Sequence, residues 1–151
     1  MTNFTNLLPA APYKGLEGKP ILAEALIDFS KFNVASGDSI DVLRIPQGAV
    51  VTNAGLAVHT TQATVTLAVG DAGSATQFLA ATTLTNVKAD NNAGTVDGAA
   101  MASDISTAYQ KFYGAEGALR LTVGGADATS AIVTAFVEYF VIAASRELKN
   151  D

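Results

Sequence analysis

Hydrophobic and polar positions alternate along this chain in short runs separated by glycine, asparagine, aspartate and proline. That period-two rhythm predicts strands rather than helices. The expected strands cover residues 21–32, 38–45, 49–59, 63–69, 77–84, 105–113, 118–123 and a long closing run at 130–143. In the cleanest of them Val65, Leu67 and Val69 face one way and Thr64, Thr66 and Ala68 the other. The run 21–32 alternates around Leu22, Ala25, Ile27 and Phe29, and 38–45 sets Ile40 and Val42 against Asp41 and Leu43 before stopping at Pro46. Turns follow at residues 69–73 and 123–127, where glycines allow tight reversal and Asp71 and Asp127 can hydrogen-bond their own backbone. Helix is expected only as a short turn at 98–105 and at 146–149 beyond the last strand. About eight short strands broken in this way predict an all-β fold, a jelly-roll-like antiparallel β-sandwich.

The closing strand carries the first functional signal. Its two faces are Ile132, Thr134, Phe136, Glu138, Phe140, Ile142 and Val133, Ala135, Val137, Tyr139, Val141, and both are largely apolar. An antiparallel sheet normally keeps one face wet. A strand apolar on both sides needs a second cover, and contact with another subunit supplies one. Phe136, Glu138 and Phe140 are the residues expected at such an interface, a homotrimer contact on the family reading given below. Glu138, set among apolar neighbours, then needs a donor, and Arg120 or Arg44 of an adjoining subunit is the expected partner.

The first twenty residues read differently. Pro9, Pro12 and Pro20, with Gly15 and Gly18 between, interrupt any helix or ladder. Phe4, Leu7, Leu8, Tyr13 and Leu16 are nonetheless apolar, which predicts an extended N-terminal arm that docks on its own subunit or a neighbour. The expected organisation is therefore an arm at 1–20, a sandwich at 21–145 and a short tail at 146–151. The longest polar stretch, 88–98, is expected as an exposed loop.

Composition narrows the chemistry. At 151 residues, 49% hydrophobic and 15% charged, the chain fits one domain with a real core and a sparsely charged surface. There is no cysteine, so no disulfide framework or thiol chemistry. The net charge of −5 and the scatter of nine Lys and Arg argue against nucleic acid as a partner. No apolar run approaches the roughly 18 residues that cross a membrane, and the first residues lack the basic and apolar regions of a signal peptide. The carboxylates and amides of residues 90–97 do not have the spacing of a calcium loop. His59 is the single histidine and stands without cysteines or a nucleophile motif, so a rim or interface position is expected. Glu24, Asp28, Asp41 and Glu138 are the acids on expected strands, and their spacing supports no acid pair. No phosphate loop or dinucleotide fingerprint occurs. Neither catalytic residues nor a metal or other cofactor are expected.

One stretch carries a resemblance. Ile45-Pro46-Gln47-Gly48-Ala49-Val50-Val51 ends one strand and opens the next, and Thr66-Leu67-Ala68-Val69-Gly70-Asp71 closes an alternating strand before a turn. This pattern resembles small structural proteins that decorate or cement the heads of tailed bacteriophages. It covers residues 40–85, with weaker agreement from Arg120 to Val123 and in the closing strand. The resemblance implies a jelly-roll-like sandwich that binds the outside of the capsid as a homotrimer and stiffens the shell. The major capsid protein would be its partner, in a virion built in the bacterial cytoplasm. It offers no catalytic residues to carry over. On it, Phe4, Leu7, Leu8 and Tyr13 of the arm are the expected capsid contacts. The competing expectation is a head-fibre or adhesion-type module recognising host surface glycan through loops 86–98 and 124–130. Four tyrosines and no tryptophan weigh against that module. An enzyme of the glycosidase or lyase type lacks an acid pair.

Overall fold

The computed structural model describes residues 19–84 and 111–142, and within them the chain is all β. Eight strands are present: β1 (Ile21–Asp28), β2 (Ser39–Ile45), β3 (Ala49–Thr60), β4 (Gln62–Gly70), β5 (Leu79–Leu84), β6 (Lys111–Phe112), β7 (Gly117–Gly124) and β8 (Ile132–Val141). They form two antiparallel four-stranded sheets, ordered β1-β8-β3-β6 and β2-β7-β4-β5. The first strand pairs with the eighth, the second with the seventh, the third with the sixth and the fourth with the fifth. A long antiparallel ribbon folded over into two sheets is connected in this way, which is the sense in which the sandwich is jelly-roll-like.

The core lies between the sheets, where alternation puts one side chain in two. From the first sheet Val51, Leu56, Val58, Val133, Ala135 and Val137 point inward; from the second come Ile45, Val65, Leu67, Val69, Leu119 and Leu121. Phe29 and Phe78, just outside strands, close the stack and are fully buried. The pairing of β8 with β1 runs without a break from Ile21↔Tyr139 to Asp28↔Ile132, so the inward set is fixed across the whole width of the sheet.

Two readings of the alternation are corrected. In β1 the inward residues are Ala23, Ala25 and Ile27, and Leu22 lies on the outer face, opposite Glu138. Leu22 and Ile27 are an odd number of residues apart, and no bulge intervenes to bring them to one side. In β2 the register shifts between Asp41 and Leu43, so a β-bulge breaks the strict pattern. Ile40, Val42 and Leu43 all pack against the core as a result, while Asp41 stays outside. β1 also ends sooner than expected: the Asp28 carboxylate accepts from the Ser30 amide (3.0 Å) and hydroxyl (2.5 Å), a turn that stops the strand.

Candidate assembly interface

The two sheets have opposite outer surfaces. On the outside of β2-β7-β4-β5 lie Ser39, Asp41, Thr122 and Thr66, with Arg120 gripping Asp41 through two bonds of 2.7 and 3.1 Å. The Arg120 guanidinium holds the Asp41 carboxyl below its usual range. Ser39 and Thr122 share a hydrogen bond of 2.9 Å across the same strand pair. This is a surface finished for water. An open hollow of about 360 Å³ between β2 and β7, lined by Asp41, Leu43, Arg44 and Glu116, has its charges already paired internally.

The outside of β1-β8-β3-β6 is apolar. Leu22 and Leu26 are 63% and 68% exposed, and Phe112 on β6 is 54% exposed. Register places Phe136 beside Glu24 and Gly55, and Phe140 beside Val50, which in turn neighbours Phe112. Phe136 and Phe140 are half-buried and Glu138 is exposed. The three residues expected at a subunit contact therefore stand in one column on the outer face of the central strand β8, flanked by leucines on β1 and by Val50 and Phe112.

Several polar groups between these apolar residues are engaged locally. Glu138 accepts a hydrogen bond of 2.8 Å from the Thr52 hydroxyl. Within the chain Arg120 is tied to Asp41 and Arg44 lies 3.5 Å from Glu116, both on the second sheet. Within one copy it is the neighbouring strand that supplies a donor to Glu138. His59 shares a hydrogen bond of 2.8 Å with Thr134 on the same outer face. Glu24 and Glu138 sit on adjacent strands, Glu24 opposite Phe136 and Glu138 opposite Leu22. No group of three or more metal-ligating side chains occurs among the described residues.

A second polar node lies at one end of the sandwich, and the sequence reading did not find it. Asp71 is 6% exposed. Its Oδ1 accepts from the amides of Gly73 and Ser74 at 2.9 Å each. Its Oδ2 accepts from the Tyr113 hydroxyl at 2.7 Å and from the Lys111 ammonium, which also lies 5.2 Å from the Tyr113 ring centre. Burial alone would push the Asp71 carboxyl up, but the Lys111, Tyr113 and Ser74 donors outweigh it and hold the group low. Burial and the adjacent carboxylate push the Tyr113 phenol far above its ordinary range. Every bond needed by this carboxylate is made within the chain, so the node is a structural clamp. It joins the turn after β4 to β6. The 124–130 loop, one of the two loops considered for glycan, is clamped likewise: Gln62 Oε1 accepts from the amides of Thr129, Ser130 and the following Ala131, and its Nε2 donates to the Asp127 carbonyl.

The arm residues Phe4, Leu7, Leu8 and Tyr13, the loop 86–98 and the acidic stretch 90–97 lie outside the described residues.

No family model matches the chain, and no curated protein matches it. Solved structures do. A chain of the cyanophage Pam1 capsid asymmetric unit superposes with a TM-score of 0.62 and 28% identity, covering 93% of this chain and 97% of that one. A chain of the acid-stable capsid of Helicobacter pylori bacteriophage KHP30 gives a TM-score of 0.59 at 18% identity, over 83% of this chain and 90% of its own. A chain of the capsid of Ralstonia phage GP4 gives 0.59 at 20% identity, over 89% and 92%. The two more distant likenesses establish the shared fold. The resemblance to phage head proteins, first carried by residues 40–85, thus extends in fold over most of the chain to chains of three bacteriophage capsids.

Proposed function

We propose that this chain is a virion structural protein that decorates the outside of a bacteriophage capsid as a homotrimer and cements the shell. The observation that carries the reading is the sidedness of the sandwich. One outer face is polar and internally paired, the other presents Leu22, Leu26, Phe136 and Phe140 to a partner. The likeness to a Pam1 capsid chain over nearly the full length of both chains supports the same reading.

In this role Phe136, Glu138 and Phe140 make the contact between subunits. Residues 1–20 act as an arm whose Phe4, Leu7, Leu8 and Tyr13 reach the major capsid protein. Residues 21–145 form the body, and 146–151 a tail. Three linked arms turn individually weak docking into tight attachment, because the second and third contacts form at high effective concentration. The role is structural, with no cofactor, no catalysis and no part in binding the genome.

The test mixes purified chain with expanded heads that lack it and counts bound copies by electron microscopy. Saturable binding at threefold positions, with heads that then survive heat or shear better, is the expected result. Absence of binding, together with glycan-array binding that is lost on mutation of loop 124–130, would establish the adhesion module instead.

A further inference from the structure

The two ends of the sandwich differ in chemistry. At one end Lys19 leads into β1 and Ile142 leaves β8, since Ile21 pairs with Tyr139 and Val141 with Ala49. The turns at 46–48, 71–78 and 113–116 gather there. Gly48 donates to the Tyr113 carbonyl and accepts from the Ile142 amide, and Lys111 reaches Asp71. The exposed tips of these turns, Ala72, Ala75, Thr76, Gly114 and Ala115, are uncharged, and the acid that follows them, Glu116, is paired with Arg44. The opposite end, formed by 29–38, 60–62 and 124–131, instead exposes Lys31, Asp38 and Asp127. Covering an uncharged tip strips no ion of its water, and Ala and Gly lose no rotamer freedom when covered.

Geometry limits which side can meet a shell. The outer surfaces of two stacked sheets point in opposite directions. In a trimer whose axis stands upright on the capsid, the first sheet turns its outer surface toward the axis and the second turns away from it, so neither lies on the capsid. Chain length then separates the two ends. Six residues lead from Lys19 back to Tyr13, and fully extended they span at most about 20–22 Å. The eight residues of β1, at about 3.3 Å each, already cover about 26 Å. An arm anchored at Lys19 therefore cannot carry Tyr13 past the far end of the body.

We propose that the arm-bearing end of the sandwich stands on the shell, with the turns at 72–76 and 114–115 against the major capsid protein, while the end with Lys31, Asp38 and Asp127 points outward. This orientation rests on the decoration role and on the arm contact at Tyr13, and it adds a contact surface on the body. The Asp71 clamp then serves docking as well as stability. It fixes the 71–74 turn against β6 beforehand, and a surface already held in its bound shape loses less freedom on binding.

The chain contains no cysteine, so single cysteines report accessibility without background. Ala115→Cys marks the arm-bearing end, Ser36→Cys the opposite end and Thr64→Cys the outer side of the second sheet; all three replace exposed residues. Each variant is reacted with a maleimide, free in solution and bound to heads. On heads the Ala115→Cys reaction should slow by roughly tenfold or more relative to the free oligomer, and the other two should stay within about twofold. A polyethylene glycol maleimide attached before mixing should block head binding for Ala115→Cys and leave Ser36→Cys binding like the unmodified chain. An unchanged rate for Ala115→Cys on heads, or protection of Ser36→Cys or Thr64→Cys, overturns the orientation while the decoration role stands. An unmodified chain that never binds heads removes the decoration role and this orientation with it.

Discussion

At the scale of single residues, Asp71 shows what a sequence can and cannot disclose. Its place after Val69 and Gly70 marks it as a turn residue, and Oδ1 does bind the amides of Gly73 and Ser74. The partners of Oδ2, Lys111 and Tyr113, arrive from about forty positions along the chain, and no local spacing announces them. Removing a paired buried carboxylate strands its donors. Asp71→Ala should therefore cost about 2–3 kcal/mol, a drop of roughly 5–10 °C in Tm, measured by thermal denaturation. The pH dependence has a definite sign. The folded-state pKa of Asp71 lies below the ordinary value of 3.8, so its contribution is complete above that pH. It fades as pH falls through the depressed folded value. The Tm gap between wild type and Asp71→Asn should accordingly narrow from about pH 7 to about pH 3. A gap that stays constant would show that the charge of Asp71 contributes nothing to the clamp.

At the scale of elements, existence and type were legible because alternation is a direct consequence of the pleat. β4 and β7 fall within a residue of their expected bounds. Facing was harder. The bulge in β2 depends on how β7 lies against it, and the outward turn of Leu22 depends on register with Glu138; both are properties of pairs of strands. The Gln62 clamp escaped for the same reason, since a glutamine at a strand start reads as ordinary surface. Gln62→Ala should free the amides of Thr129 and Ser130, and hydrogen exchange at those two positions should accelerate at least tenfold while the core strands stay protected. β8 permits a sharper comparison between its faces. Val137 is fully buried and Phe136 stands on the outer face. Val137→Ala should destabilise the fold by about 2 kcal/mol. Phe136→Ala should cost the fold about 1 kcal/mol or less and weaken self-association instead. Denaturation and native mass, measured on the same two variants, separate these effects; equal loss of stability in both would place Phe136 in the core.

At the scale of the molecule, the division of labour between arm and body can be argued from strand pairing. Every described strand finds its partner among residues 21–141, so the body has no described ladder that depends on the first sixteen residues. Those residues hold Phe4, Leu7, Leu8 and Tyr13, a concentration of apolar side chains in a segment punctuated by proline. If they serve the capsid, their removal separates two properties that one protein normally shows together. A chain lacking residues 1–16 should melt within a few degrees of the full chain, because its core is intact. It should also keep the oligomeric state of the full chain, a trimer of 15.4 kDa subunits less the mass of the deleted residues, because the face around Phe136 and Leu26 is untouched. Its binding to heads should fall by orders of magnitude, since three lost contacts also remove the avidity between them. Full head binding by the shortened oligomer would move the capsid contact from the arm to the body. The polar outer surface of β2-β7-β4-β5, with its Asp41–Arg120 pair, would then be the side left for the shell.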